Sequence, residues 1–136
     1  MFSADELARF ERDGYVVARG LAVPEECAAL KAVAQRDLEA QKMPVEYETD
    51  TRYPGAPASL DAPGGRTVRR LLQACARDPS ILRWATQLAI AARMRQLLGP
   101  AVELSQAHHN CVMTKNPSYS SVTNWHQDIR YWAYAR

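Results

Sequence analysis

The chain has 136 residues, of which 47% are hydrophobic and 24% charged, and its 17 Lys and Arg against 15 Asp and Glu leave a net charge of +2. This is the length of one ordinary domain with enough apolar side chains for a core. The basic residues are scattered among nearly as many acids and no apolar run reaches the length of a membrane span, so neither nucleic acid nor membrane is an expected partner.

The start, MFSADELARFERDG, carries acids early and lacks the basic head and apolar stretch of a signal peptide. It reads as a helix: Ser3 caps, Glu6 completes a capping box, Phe2 and Leu7 match a hydrophobic staple, and Gly14 offers an exit. GYVVARG, between Gly14 and Gly20, is β-branched and aromatic and reads as a short strand. Pro24 suits a first helical position, and Cys27, Leu30, Ala34 and Leu38 recur at helical steps over about 24–39. From 41 to 66, four prolines and three glycines break any helical stripe, leaving a loop long enough to cover a binding site or to lie passively on the surface around a short strand or turn at Tyr47. The stretch 67–76 is open between helix and strand.

Asp78 as cap and Pro79 at the first position begin another helix. Its stripe is Ile81, Trp84, Leu88, Ala91, Arg95 and Leu98, and Gly99-Pro100 ends it. After Pro100 the character turns to strands: AVELSQAHHNCVMTK, the turn-rich NPSYSS, then VTNWHQDIRYWAYA. The expected organisation is a mainly helical region over 1–100, with an early strand and the 41–66 loop, feeding the first strands of a β-domain over 101–136. Cys27, Cys75 and Cys111 form no CxxC spacing and suggest no disulfide framework, which favours ordinary thiols in a reducing, cytoplasmic setting.

The chemistry concentrates at the carboxyl end. On a strand, residues two apart face the same way, so His126 and Asp128 of TNWHQDIRYW would converge while Gln127 turns away. An imidazole and a carboxylate so placed form two thirds of a 2-His-1-carboxylate iron site, which leaves coordination positions open. The bland reading is a hydrogen-bonded His–Asp pair. A zinc hydrolase drawing on His108 and His109 is another alternative, although it needs three converging ligands. On the preceding strand, His109, Cys111, Met113 and Lys115 would share one face and His108, Asn110, Val112 and Thr114 the other. Both faces are mixed, so parity leaves the interior one open.

FERDGYVVARGLAVPEECAAL resembles the opening of the phytanoyl-CoA dioxygenase family, and VMTKNPSYSSVTNWHQDIRYW is similar to that family's first metal-binding segment. The resemblance implies an Fe(II)- and 2-oxoglutarate-dependent dioxygenase of α+β, mainly β class. Its core would be a double-stranded β-helix (jelly-roll, cupin-like) preceded by N-terminal helices and incomplete within these residues.

It implies His126 and Asp128 as metal ligands and catalytic residues, with a further His and a 2-oxoglutarate-binding Arg expected beyond residue 136. Lys115, Asn110 and His108 become candidates for the co-substrate pocket, Arg130 and Trp132 for substrate contact, and Trp125 for packing beside the metal. The presence of Asp128 argues for hydroxylation over halogenation, because related halogenating enzymes carry a small residue there. The implied reaction takes O₂ and a small-molecule substrate and releases succinate and CO₂. A coenzyme A thioester would favour converging basic residues, and Lys31, Arg36, Arg52, Arg66, Arg69 and Arg70 show no convergence in the sequence. The alternative from another class is an inactive barrel used for binding or structure.

Overall fold

The computed structural model describes residues 1–106 and 110–126. Helix α1 (Ala4–Asp13) begins as expected. Ser3 Oγ accepts from the Glu6 backbone N–H at 3.2 Å, Glu6 Oε2 accepts from the Ser3 N–H at 2.8 Å, and Gly14 closes the helix at φ +79°. Phe2 is buried because α5 (Leu88–Leu98) holds it: its N–H and carbonyl bond the Gln96 side chain at 2.7 and 3.0 Å, and Arg93 lies over its ring at 5.6 Å. Residues 15–18 form no strand. Extended and β-branched, they find no partner ladder among the described residues, and Tyr15 and Val17 remain exposed.

Helix α2 (Pro24–Glu39) has the expected bounds but a rotated inner face. Val33 and Asp37 are its buried positions, whereas Cys27 and Leu38 are exposed. A charged residue sets this phase. Asp37 is drawn inward by Arg77 at the end of the short helix α3 (Ala74–Arg77), which places the Asp37 turn beneath the sheet.

Three strands among the described residues form an antiparallel sheet in the order β1 (Val45–Tyr47), β2 (Val68–Leu72), β3 (Cys111–Met113). β1 falls inside the expected 41–66 loop and β2 inside the ambiguous 67–76 stretch, so two of the three strands precede residue 100. Val45 pairs with Leu71, and Leu71 with Val112; the three face one way, and Val45, Val68 and Leu71 form a core cluster with Tyr47 and Val112 packed against it. Glu46, Arg70 and Met113 pair across the opposite face.

The expected single helix over 79–98 is two, α4 (Pro79–Thr86) and α5. Asp78 caps α4 through Ser80 N–H at 3.0 Å. Gln87 then adopts an extended ψ of 149° and its carbonyl starts the next helix by accepting from Ile90 and Ala91. Thr86 Oγ1 bonding back to the Leu82 carbonyl at 2.8 Å competes with the helical ladder at the break. The shift in phase leaves Leu88 and Leu98 exposed instead of continuing the Ile81–Trp84 stripe. Residues 101–106 form no strand; β3 lies within the expected first β segment, of which 107–109 fall outside the described residues. No helix among the described residues is long and apolar enough to cross a membrane.

Arg77 joins these parts. Its Nε donates to the Leu72 carbonyl at 2.7 Å, Nη1 to Asp37 Oδ2 at 3.2 Å and to the Lys42 carbonyl at 3.0 Å, and Nη2 to the Pro44 carbonyl. Arg36 takes the other Asp37 oxygen at 2.8 Å. Removing one partner of a buried ion pair strands the other, so Arg77→Met is expected to lower unfolding free energy by about 3–5 kcal/mol in urea titration. Burial pushes the Asp37 carboxyl up, but the bonds from Arg36 and Arg77 outweigh it and hold the pKa below its ordinary 3.8. A depressed folded pKa stabilises fully above the unfolded value and loses that contribution as pH falls through the folded one. The urea midpoint is therefore expected to fall on acidification below about pH 4, and Asp37→Asn to flatten that dependence.

Candidate metal centre and the segment that carries it

β3 runs into Thr114, whose N–H donates to the Arg69 carbonyl at 3.0 Å and whose hydroxyl bonds the Val68 and Arg69 carbonyls, extending the attachment to β2. The chain then turns at NPSYSS. Asn116 Oδ1 accepts from the backbone N–H groups of Ser118 and Tyr119 at 2.8 and 3.2 Å, an Asx turn. Tyr119 lies over Gly64 so closely that a Cβ there would sit 2.3 Å from its ring, and Gly64 has φ +77°; glycine is required on both counts. The long loop thus packs against the turn that leads towards His126. Tyr53 and Pro54 of the same loop line a cleft of about 300 Å³ with Ser120, Ser121 and Val122.

Residues 121–126 have no regular secondary structure, contrary to the expected strand. Side chains hold them where a ladder would otherwise run. Lys115 Nζ donates to the Ser121 carbonyl and to Thr123 Oγ1, both at 2.9 Å, and Arg69 Nη2 donates to Ser121 Oγ at 2.9 Å. Arg69 is itself fixed from behind. Its Nη1 bonds Glu48 Oε2 at 3.1 Å, Tyr53 OH donates to the same oxygen at 2.7 Å, and the guanidinium lies 5.7 Å from the Tyr53 ring centroid. The Glu48 side chain is only 1% exposed. Its bond and charge, together with burial, push the Tyr53 hydroxyl pKa up.

His126 sits at the end of this segment, exposed, with Nδ1 2.7 Å from the Asn124 carbonyl. A carbonyl only accepts, so Nδ1 carries a hydrogen, and in a neutral ring the lone pair is then on Nε2. Metal-ligating histidines tie their other ring nitrogen to a backbone carbonyl in this way, so the contact His126 makes fits a metal ligand. Asp128, Arg130, Trp132 and His108 lie outside the described residues. Among the described residues no three His, Cys, Asp or Glu side chains gather as a metal site. Trp125, expected to pack beside the metal, is 98% exposed and turned to solvent.

Asn110 sits at the other end of β3. Its carbonyl accepts from Ala74 N–H at 2.9 Å and its Oδ1 from Cys75 N–H at 3.0 Å, so it caps α3 from a distance, while its Nδ2 donates to Gln106. The sheet also resolves the open question of parity: Val112 faces the core, and Cys111 and Met113 face the side bearing Arg70 and Glu46. Glu48, Tyr53 and Ser121 were not singled out from the sequence, and Arg69 was named only among basic residues weighed for a coenzyme A site. The available signal was Arg69-Arg70 within an otherwise apolar strand, since cations placed there need partners.

Residues 10–136 match the phytanoyl-CoA dioxygenase (PhyH) family. The chain belongs to that family. It is also 29% identical over 134 residues to proteins named ectoine dioxygenase from Bordetella parapertussis and Bordetella bronchiseptica, an alignment covering 96% of this chain. The chain spans 38% of the length of these relatives. No solved structure matches it. The PhyH match takes in β1–β3, the Arg69–Ser121 contact and the whole WHQD run.

Cys111 is the thiol nearest the polar face of the sheet. Burial raises its pKa, with Arg70 opposing and Glu46 adding to the rise. A thiol kept protonated is a weak nucleophile. Alkylation at neutral pH, followed by peptide mass analysis, is expected to label exposed Cys27 well before Cys111.

Proposed function

We propose that this PhyH chain contributes the first metal-binding segment of an Fe(II)- and 2-oxoglutarate-dependent dioxygenase that hydroxylates a small free metabolite. Family membership over 10–136 carries this reading, and the bond from His126 Nδ1 to the Asn124 carbonyl supports it. In this reading His126 Nε2 and the Asp128 carboxylate hold the metal. The third ligand, a His, and a 2-oxoglutarate-binding Arg are assigned to polypeptide outside these residues. When bound, Fe(II) and 2-oxoglutarate supply the oxidising chemistry, in which one oxygen atom of O₂ enters succinate as CO₂ leaves and the other enters the substrate.

The chain's own groups orient and shield. Lys115 uses two donors on Ser121 and Thr123, and a lysine ammonium has a third for a co-substrate carboxylate. Asn110 acts through the end of β3, which it ties to α3, with His108 beside it in sequence. Arg130 and Trp132 are assigned to substrate contact. The relatives named for ectoine favour a small free solute over a coenzyme A thioester. The setting proposed with it is the cytoplasm, where Fe(II) and thiols are kept reduced.

Anaerobic titration of the full-length protein with Fe(II) and 2-oxoglutarate is expected to produce a weak visible charge-transfer band at one equivalent. His126→Ala and Asp128→Ala should each abolish it. A folded protein that shows no band, or variants that leave it unchanged, would overturn the assignment.

A further inference from the structure

The segment that delivers His126 has no strand ladder of its own over 121–126, so side-chain bonds place it, among them those to Ser121 and Thr123. Two cations meet Ser121 from different strands. Lys115, just past β3, takes its carbonyl, and Arg69, from the central strand β2, takes its hydroxyl. Arg69 is 12% exposed and is backed by Glu48, the most enclosed acid on this side of the sheet. Glu48 receives the Tyr53 hydroxyl as well, so the 48–53 segment and Ser121, far apart in sequence, close on a single guanidinium. Arg69 Nε also faces Glu46 Oε1 at 3.4 Å, an ion pair without hydrogen-bond geometry. A planar guanidinium pinned by a buried carboxylate and stacked over an aromatic ring presents its remaining edge in a fixed direction. That edge meets Ser121 Oγ.

We infer that Arg69, held by Glu48 and Tyr53, is a positioning residue for the metal centre: through Ser121 it fixes the 122–125 stretch and therefore where His126 stands. The inference rests on His126 being a metal ligand, and adds that the ligand's placement is set from β2 and the 48–53 segment. Outer partners that orient a ligand are worth about 10–100-fold in metal affinity, and one acting through a short stretch of backbone belongs at the lower end, about tenfold.

The test is Co(II) binding by the full-length protein, followed by its visible absorption, alongside thermal unfolding of the metal-free protein. Ser121→Ala removes only the hydroxyl and leaves the Arg69–Glu48–Tyr53 cluster intact. It is expected to weaken Co(II) binding about tenfold without lowering the metal-free midpoint, while Ser121→Thr, which keeps a hydroxyl, restores it. Arg69→Gln should weaken binding at least as much. Wild-type affinity in Ser121→Ala, with His126→Ala abolishing binding, would overturn the positioning role and leave the metal assignment standing. If His126→Ala binds Co(II) like the wild type, the metal assignment fails and the positioning role falls with it.

Discussion

The Arg77–Asp37 pair is the contact on which the rest of this fold is hung. The buried apolar set is small: Phe2, Val33, Val45, Val68, Leu71 and Ala74 are its hydrophobic members among the described residues. A core of that size leaves the relative placement of helix and sheet weakly specified, because burial is non-directional. One guanidinium supplies the direction. It fixes the end of β2 through Leu72, the entry to β1 through Pro44, and the last turn of α2 and the residues just after it through Asp37 and Lys42. A buried ion pair is a poor source of net stability against an apolar pair of the same shape. Its value here is geometric, since few apolar side chains could bridge three segments with fixed angles.

The same device recurs on the other side of the sheet. Glu48 stands to Arg69 as Asp37 stands to Arg77: an almost fully enclosed carboxylate behind an arginine that reaches across sequence. The difference lies in what the arginine holds. Arg77 bonds carbonyls within the packed body, so its role ends in the fold. Arg69 has an edge on Ser121, in a segment without regular structure, and so links the rigid sheet to the part of the chain that carries His126. Glu46 and Arg70, paired at 3.2 Å next to this cluster, add a second layer of charge to the open face of the sheet. The sheet thus has an apolar face that packs and a charged face that organises the approach to the site.

What the sequence disclosed follows from the range of each interaction. Local chemistry was legible: the Ser3–Glu6 box, Gly14, Pro24, and the Asp78-Pro79 start all act within one helical turn. β1 and β2 were legible only as open alternatives, a short strand or turn at Tyr47 and a helix or strand over 67–76, because Val45–Tyr47 is too short to show alternation and VRRLL carries two arginines that mask its pattern. The inner face of α2 was misjudged because a periodicity argument treats Asp37 as a solvent residue, and only the distant Arg77 reverses that. The break at Gln87 carries no Gly or Pro and could not be read. At the site, WHQD and its family likeness marked His126, whereas the groups that hold its segment come from positions 48, 53, 69 and 115. Such convergence is invisible until the chain is folded.

Lys115 shows how a fold can redirect a residue whose sequence context suggests one role. A lone cation beside a metal motif invites assignment to an anionic ligand. Here its ammonium is already committed twice, to the Ser121 carbonyl and the Thr123 hydroxyl, and those bonds close the NPSYSS turn onto β3. A charge so engaged is fixed in place, which an exposed lysine on a flexible stem otherwise is not. The structural bonds and a binding role are therefore not rivals. By stopping the ammonium from wandering, the loop makes it a better-defined partner for a carboxylate than a free lysine would be, and the same bonds hold the segment that ends at His126. Arg69 and Lys115 act on one residue from two strands, so a shift of either strand would move both the fixed charge and the imidazole.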